Sequence, residues 1–186
     1  MGVFLDIEGA FNNTSYDSMC MAPARHGVDH TIVRWVKGTL EGRRAMAALS
    51  SLSRSVAVSR GCPQGGVLST LLWCLVVDEL LTRLSGEGVY AQGYADDICL
   101  LAVGKFLNAV SGLIQWGLGT VEAWCSEHGL SVYPDKTGLV AFTRKRKPPG
   151  FFQTPFIRKG IATLYVSQVS GSDPRFKAVL EGTCGS

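Results

Sequence analysis

Two adjacent carboxylates, Asp96 and Asp97, stand inside an otherwise apolar run, Gly93-Tyr94-Ala95-Asp96-Asp97-Ile98-Cys99-Leu100-Leu101. Neighbouring anions repel, and partial burial is costly for each unless a cation compensates. A structural reading competes, because an apolar run, a polar break and a second apolar run also describe an ordinary β-hairpin with Asp in its turn. A third acid, Asp6, lies inside Val3-Phe4-Leu5-Asp6-Ile7, where an uncompensated carboxylate would destabilise a strand. If the three converge, their oxygen-only ligand set selects a hard divalent cation such as Mg²⁺. Two such ions side by side activate an attacking oxygen and stabilise the leaving oxygen of a phosphoryl transfer. The chemistry implied is nucleotidyl transfer or phosphodiester cleavage.

The elements that must position these acids follow from periodicity. Val3 to Ile7 reads as a strand; Thr14 to His26, capped by Thr14 or Ser15, as a helix; and Ile32 to Leu40, capped by Asp29 or Thr31, as a second helix. Arg43 to Leu49 and Ser55 to Ser59 form a plausible hairpin. Gly61-Cys62-Pro63-Gln64-Gly65-Gly66 must be a loop, and it feeds a long, largely buried helix from Val67 to Leu84, with Asp78, Glu79 and Arg83 towards its more exposed end. The Asp pair falls between strand-like runs Gly88 to Tyr94 and Ile98 to Val103. Leu107 to His128 has helical spacing, and Leu139 to Phe142 reads as a further strand. This order predicts an α+β fold, an antiparallel sheet with helices packed on one face, in which Asp6 can lie beside the Asp96–Asp97 hairpin.

Composition narrows the field. The 186 residues are 46% hydrophobic, enough for a packed core in one domain or a domain with a partial second. Eighteen Lys and Arg against fifteen Asp and Glu leave a net charge of +3, which permits a polyanionic partner without demanding one. No run reaches the roughly 18 apolar residues that a membrane span needs, and no secretory leader is evident. The six cysteines are scattered, form no Cys-x-x-Cys pair, and support neither a zinc ribbon nor a disulfide framework.

Phe4-Leu5-Asp6-Ile7-Glu8-Gly9-Ala10-Phe11, Gly61 to Ser69, Tyr94-Ala95-Asp96-Asp97 and Leu130 to Thr137 occur in that order. Together they resemble the palm motifs of reverse transcriptases, most closely those of non-LTR (LINE-type) retrotransposons. The resemblance spans roughly Val3 to Phe142. It implies RNA-directed DNA polymerisation from dNTPs on an RNA template and a DNA primer, with Mg²⁺, or Mn²⁺ in its place. By position it assigns Asp6, Asp96 and Asp97 as metal ligands helped by the Ile7 carbonyl. Phe11 becomes the aromatic residue against the sugar of the incoming nucleotide, or else a core Phe. Gln64, with Gly65, becomes the contact to the nascent base pair, or else a plain turn residue. Lys136 becomes the proton donor to pyrophosphate, or else a solvated lysine. Tyr94 packs near the primer end or is simply a buried aromatic. The basic run Arg144, Lys145, Arg146 and Lys147 would neutralise nucleic-acid phosphates, unless it is only a solvated loop; Arg43 and Arg44 are a weaker second candidate.

Two departures from the family pattern stand out. Tyr133 occupies a position where the family commonly has Asn, and the short stretch before Asp6 leads us to expect that the fingers and most of a thumb lie outside these 186 residues. The expectation is therefore a palm fragment over residues 1–147, palm/thumb junction strands over 148–169, and a disordered or unrelated tail over 170–186. Such a piece is expected to be weak or inactive alone. The alternative is a catalytically dead retrotransposon remnant that binds nucleic acid or a partner. The resemblance also implies a nuclear site of action, no membrane, and a working partnership with other parts of the retrotransposon polyprotein.

Overall fold

In the first strand, β1 (Gly2–Glu8), odd and even residues part company: Val3, Leu5 and Ile7 are buried while Phe4 and Glu8 are exposed and Asp6 is partly so. This period-2 alternation makes β1 the divide between a core and an open face. The computed structural model describes residues 1–49, 52–86, 88–143 and 163–168. After β1 come α1 (Ala10–Asn13), α2 (Tyr16–Arg25), α3 (His30–Leu40), β2 (Arg44–Leu49), β3 (Leu52–Ala57), α4 (Val67–Ser85), β4 (Tyr90–Tyr94), β5 (Asp97–Leu101) and α5 (Leu107–His128). β6 (Ser131–Val132), a 3₁₀ turn (Pro134–Lys136), β7 (Gly138–Thr143) and β8 (Thr163–Gln168) complete the described chain.

Among the described residues six strands form one sheet in the order β4-β5-β1-β7-β8, with β6 pairing the far end of β1. β1 is antiparallel to β5, β6 and β7, whereas the outer pair β7–β8 runs parallel, a detail that alternation alone does not reveal. Behind the sheet lie α4 and α5. Leu72, Trp73, Val76, Val77, Leu80 and Leu84 of α4, at spacings of one to four residues, share a buried face. Val110, Ile114, Leu118, Val121 and Trp124 do the same on α5, and both faces, Leu72 apart, join Val3, Leu5, Ile7, Ile98 and Leu100 in one hydrophobic cluster. A second cluster of Met19, Val36, Leu40, Cys62 and Leu72 ties α2 and α3 to α4.

The helix boundaries follow local chemistry. Ser15 caps α2 by accepting a hydrogen bond from the Ser18 N–H, and Asp29 caps α3 by accepting one from the Thr31 N–H. Gly9, at φ +62°, turns the chain directly from β1 into α1, a short helix that the sequence pattern did not separate from the end of the strand. The β2–β3 hairpin is a separate two-stranded sheet with every described residue exposed, including Met46, Leu49, Leu52 and Val56.

Glu79 is not on an exposed end of α4, as its charge had indicated, because α2 and α5 close over it. Arg25 Nη1 lies 2.5 Å from Glu79 Oε2, Arg83 Nη2 lies 2.6 Å from its Oε1, and His128 Nε2 lies 3.4 Å from Oε2. His128 is itself buried and hydrogen-bonded through Nδ1 to Ser18 Oγ at 2.8 Å. Removing the Glu79 carboxylate leaves the Arg25 guanidinium without its described ion-pair partner at a three-helix junction, while Arg83 keeps Glu127. Glu79→Ala is therefore expected to cost about 2 kcal/mol of folding stability, less than a fully buried pair because the carboxylate keeps some solvent; urea denaturation with an unchanged m-value checks it.

Candidate active site

The Asp pair closes a hairpin. Tyr94 and Asp97 pair at the ends of β4 and β5, so Ala95 and Asp96 form a two-residue turn. Across the neighbouring ladder Asp97 pairs with Asp6, which puts Tyr94, Asp97 and Asp6 in one cross-strand row on the open face of the sheet. The turn is anchored from two sides: the Ile7 N–H donates to the Asp96 carbonyl at 3.0 Å, and the Trp73 indole N–H donates to the Ala95 carbonyl at 2.6 Å. Like charges directly opposite each other weaken a ladder, and here the ladder is the centre of the sheet.

Asp6 already has a cation. Lys136 Nζ lies 2.9 Å from Asp6 Oδ2 and 5.0 Å from the centroid of the Tyr133 ring, while the Tyr133 N–H donates to the Asp6 carbonyl at 2.9 Å. The unusual Tyr133 thus seats Lys136 by a cation–π contact. The ammonium's pKa is raised, chiefly by its hydrogen bond to Asp6. Among the described residues, the three acidic or imidazole side chains whose donor atoms lie within 4.8 Å of one another are Glu79, Glu127 and His128, and the two arginines already neutralise that set. The aspartate oxygens are thus more widely spread than a closed cage. As a donor set, exposed carboxylates of like charge on one face still fit a hard divalent cation. Asp96 and Asp97 are both exposed as residues.

The other sequence-predicted residues gather at the adjoining end of the sheet. Phe11, on α1, is half-buried against both clusters with its ring 5.9 Å from that of Trp73. The Gly-rich loop docks on α1: the Gly61 N–H donates to the Thr14 carbonyl at 2.8 Å and the Cys62 N–H to the Phe11 carbonyl at 2.7 Å. A Cβ on Gly61, whose φ is +73°, would fall within 2.7 Å of the Asn12 Cα, so only glycine permits this approach. Gln64 is exposed beyond it, beside a cavity lined by Asn12, Arg43 and Arg60, with Gly65 at φ +82°. Tyr94 is 82% exposed, which removes the buried-aromatic reading. Arg144, Lys145, Arg146 and Lys147 lie outside the described residues. Arg43 points inward: Nε donates to the Leu40 carbonyl, and Nη2 to the Gly61 carbonyl and the Tyr16 hydroxyl. It braces the loop, and this engagement leaves it a poor phosphate ligand.

Comparison with known proteins decides the family. The model for reverse transcriptase (RNA-dependent DNA polymerase) matches residues 1–163. This chain belongs to the reverse transcriptase family. A 115 kDa protein of the type-1 retrotransposable element R1DM of Drosophila melanogaster is 34% identical over 142 residues, 75% of this chain and 13% of its own length. A Pol polyprotein of an R1 element of Nasonia vitripennis is 36% identical over 77 residues, 41% of this chain and 19% of that protein. These relatives are of the non-LTR type that the motifs resemble, and the chain spans under a fifth of their length. Among solved structures, apo telomerase from Candida tropicalis, truncated from its C-terminal domain, superposes with a TM-score of 0.56 at 13% identity, over 73% of this chain and 29% of that one, a likeness of fold. No helix among the described residues is long and apolar enough to cross a membrane.

Trp73 is the residue of this reverse transcriptase chain that the motifs do not point to, and Arg43, a candidate for phosphate contact by its charge, braces the loop instead. A buried indole needs an acceptor, which was the one signal available for Trp73. The pKa of Asp97 is raised by desolvation first, then by the charges of Asp96 and Asp6, with Lys136 opposing. The native state therefore binds this proton more tightly than the unfolded chain, and stability falls as pH rises through the carboxylate range. Asp97→Asn removes the penalty, so it is expected to raise the Tm at pH 7 by about 1–3 °C. The gain should vanish below the ordinary Asp pKa of 3.8, where both side chains are neutral; thermal melts across pH 3 to 7 measure it.

Proposed function

We propose that the chain is the catalytic palm of an RNA-directed DNA polymerase, adding dNTPs to the 3′-hydroxyl of a DNA primer on an RNA template. The observation that carries this reading is the opposition of Asp6 and Asp97 across the central ladder, beside Asp96 on its turn. Two divalent ions, Mg²⁺ or Mn²⁺, are the counter-charge this row calls for, and when bound they would activate the primer hydroxyl and offset charge on the leaving pyrophosphate. Asp6, Asp96 and Asp97 would hold them, with the Ile7 carbonyl as a further ligand. Phe11 limits room at the nucleotide sugar, and Gln64 and Gly65 meet the base pair. Because the Gly61–Cys62 backbone is bonded to α1, gate and base contact are set as one unit. Tyr94 faces the primer end. Lys136, released from Asp6, donates a proton to pyrophosphate. Other regions of the larger polyprotein are its working partners, and the nucleus its place of action.

One contact favours a second reading. With Lys136 on Asp6, the acid is already neutralised, as in a remnant that binds nucleic acid without catalysis. Primer extension separates the two. On poly(rA) with a labelled oligo(dT) primer and Mg²⁺ or Mn²⁺, the chain alone is expected to extend the primer weakly at most, and Asp96→Ala or Asp97→Ala to abolish that extension. Metal-independent duplex binding with no extension sinks the catalytic reading, and shortening of the primer would mark a nuclease.

A further inference from the structure

Ala95 is the single non-glycine residue with a positive φ, +52°, among the described residues. An L side chain in this region costs about 1 kcal/mol, and the turn has no glycine to absorb it. Something must hold Ala95 there, and its carbonyl has one buried partner. Trp73, 3% exposed on α4, donates its indole N–H to that oxygen at 2.6 Å. The ring is fixed in its turn, tilted against Phe11 at 5.9 Å and edge-on to Trp124 at 6.4 Å. The neighbouring indole makes a contrast. Trp124 is fully buried too, yet its Nε1 has no hydrogen-bond partner among the described residues. The donor on Trp73 is thus directed at the turn, while that on Trp124 serves nothing comparable.

We infer that Trp73 is a positioning residue for the carboxylate turn: its indole N–H holds the Ala95 carbonyl, and so keeps the left-handed backbone that presents Asp96 and Asp97 towards Asp6. The inference rests on the proposed metal-binding role of these aspartates. Beyond the β4–β5 ladder that closes it, the turn has one other described anchor, the Ile7 N–H to the Asp96 carbonyl. Without the indole, Ala95 can relax out of its strained conformation, and the Ile7 contact opens with it. The same ring touches Phe11, so the sugar-facing side chain and the metal-facing turn share one support.

Two variants remove the donor while keeping an aromatic body: Trp73→Phe, and the chain with 3-benzothienylalanine at position 73, which keeps the bicyclic shape and lacks the N–H. Hydrogen exchange of the Ile7 amide reads the turn without any metal, taken relative to α5 core amides that report global opening. Mn²⁺ affinity, read by electron paramagnetic resonance of the free ion, reports the presented carboxylates. Both variants are expected to speed Ile7 exchange by about fivefold to tenfold and to weaken Mn²⁺ binding by a similar factor, the weight of one buried hydrogen bond. The chain with 3-benzothienylalanine at position 124, which keeps the ring that Trp73 packs against and removes only an N–H with no described acceptor, should change neither by more than about twofold. Adding Ala95→Gly to Trp73→Phe should recover most of both losses, since glycine adopts positive φ freely. Unchanged Ile7 exchange in both position-73 variants overturns the inference, and so does a loss that Ala95→Gly leaves untouched, which would mark ring packing alone. If the unaltered chain binds no Mn²⁺, the metal-site reading fails, and Ile7 exchange still decides whether Trp73 holds the turn.

Discussion

Asp6 and Asp97 face each other across the β1–β5 ladder, and their repulsion works against the hydrogen bonds that pair those strands. The ladder persists because the opposite face supplies far more than the repulsion removes. Val3, Leu5, Ile7, Ile98 and Leu100, all 3% exposed or less, pack against two long apolar helices. Each such side chain contributes roughly 1.5–3 kcal/mol by leaving water, while an exposed like-charge pair costs on the order of 1 kcal/mol. The sheet can therefore carry the acids on one side provided that the other is wholly apolar.

A similar division of labour runs through the surrounding elements. The Glu79 network joins α2, α4 and α5 on the helical side, away from the aspartates, and serves assembly. Arg43 plays the equivalent part for the Gly-rich loop, where it reaches α3, Tyr16 and the loop backbone from one guanidinium. Lysine could not replace it, because its single ammonium lacks the planar fork of donors. Charged residues that look alike in composition thus divide into those that brace the scaffold and those that line the open face.

The parts of the fold governed by neighbours in the chain were legible in the sequence. α5 has the predicted limits, because its apolar spacing is regular and Gly129 ends it at φ +68°. The hairpin around Ala95 and Asp96 and the loop around Gln64 were legible for the same reason. What escaped was long-range partnership. The order of elements placed Asp6 beside the hairpin, but neither spacing nor propensity reveals that its register partner is Asp97, that Lys136 neutralises Asp6, or that Arg43 points inward. The parallel pairing of β8 and the covering of Glu79 escaped likewise, since both depend on which surfaces meet after folding. Motif order carried the chemistry across that gap, by bringing together residues whose proximity no local rule could supply.

β1 is bonded on both flanks over the residues around Phe4, to β5 on one side and β7 on the other. Its alternation is therefore locked twice. A point substitution on its open face alters one side chain, but the loss of a single residue before Asp6 would rotate the whole set. Asp6 would enter the apolar layer, and Leu5 and Ile7 would face solvent. For this strand, damage is graded by length more steeply than by identity: a swap removes a ligand, whereas a one-residue slip turns the same residues into an unstable core.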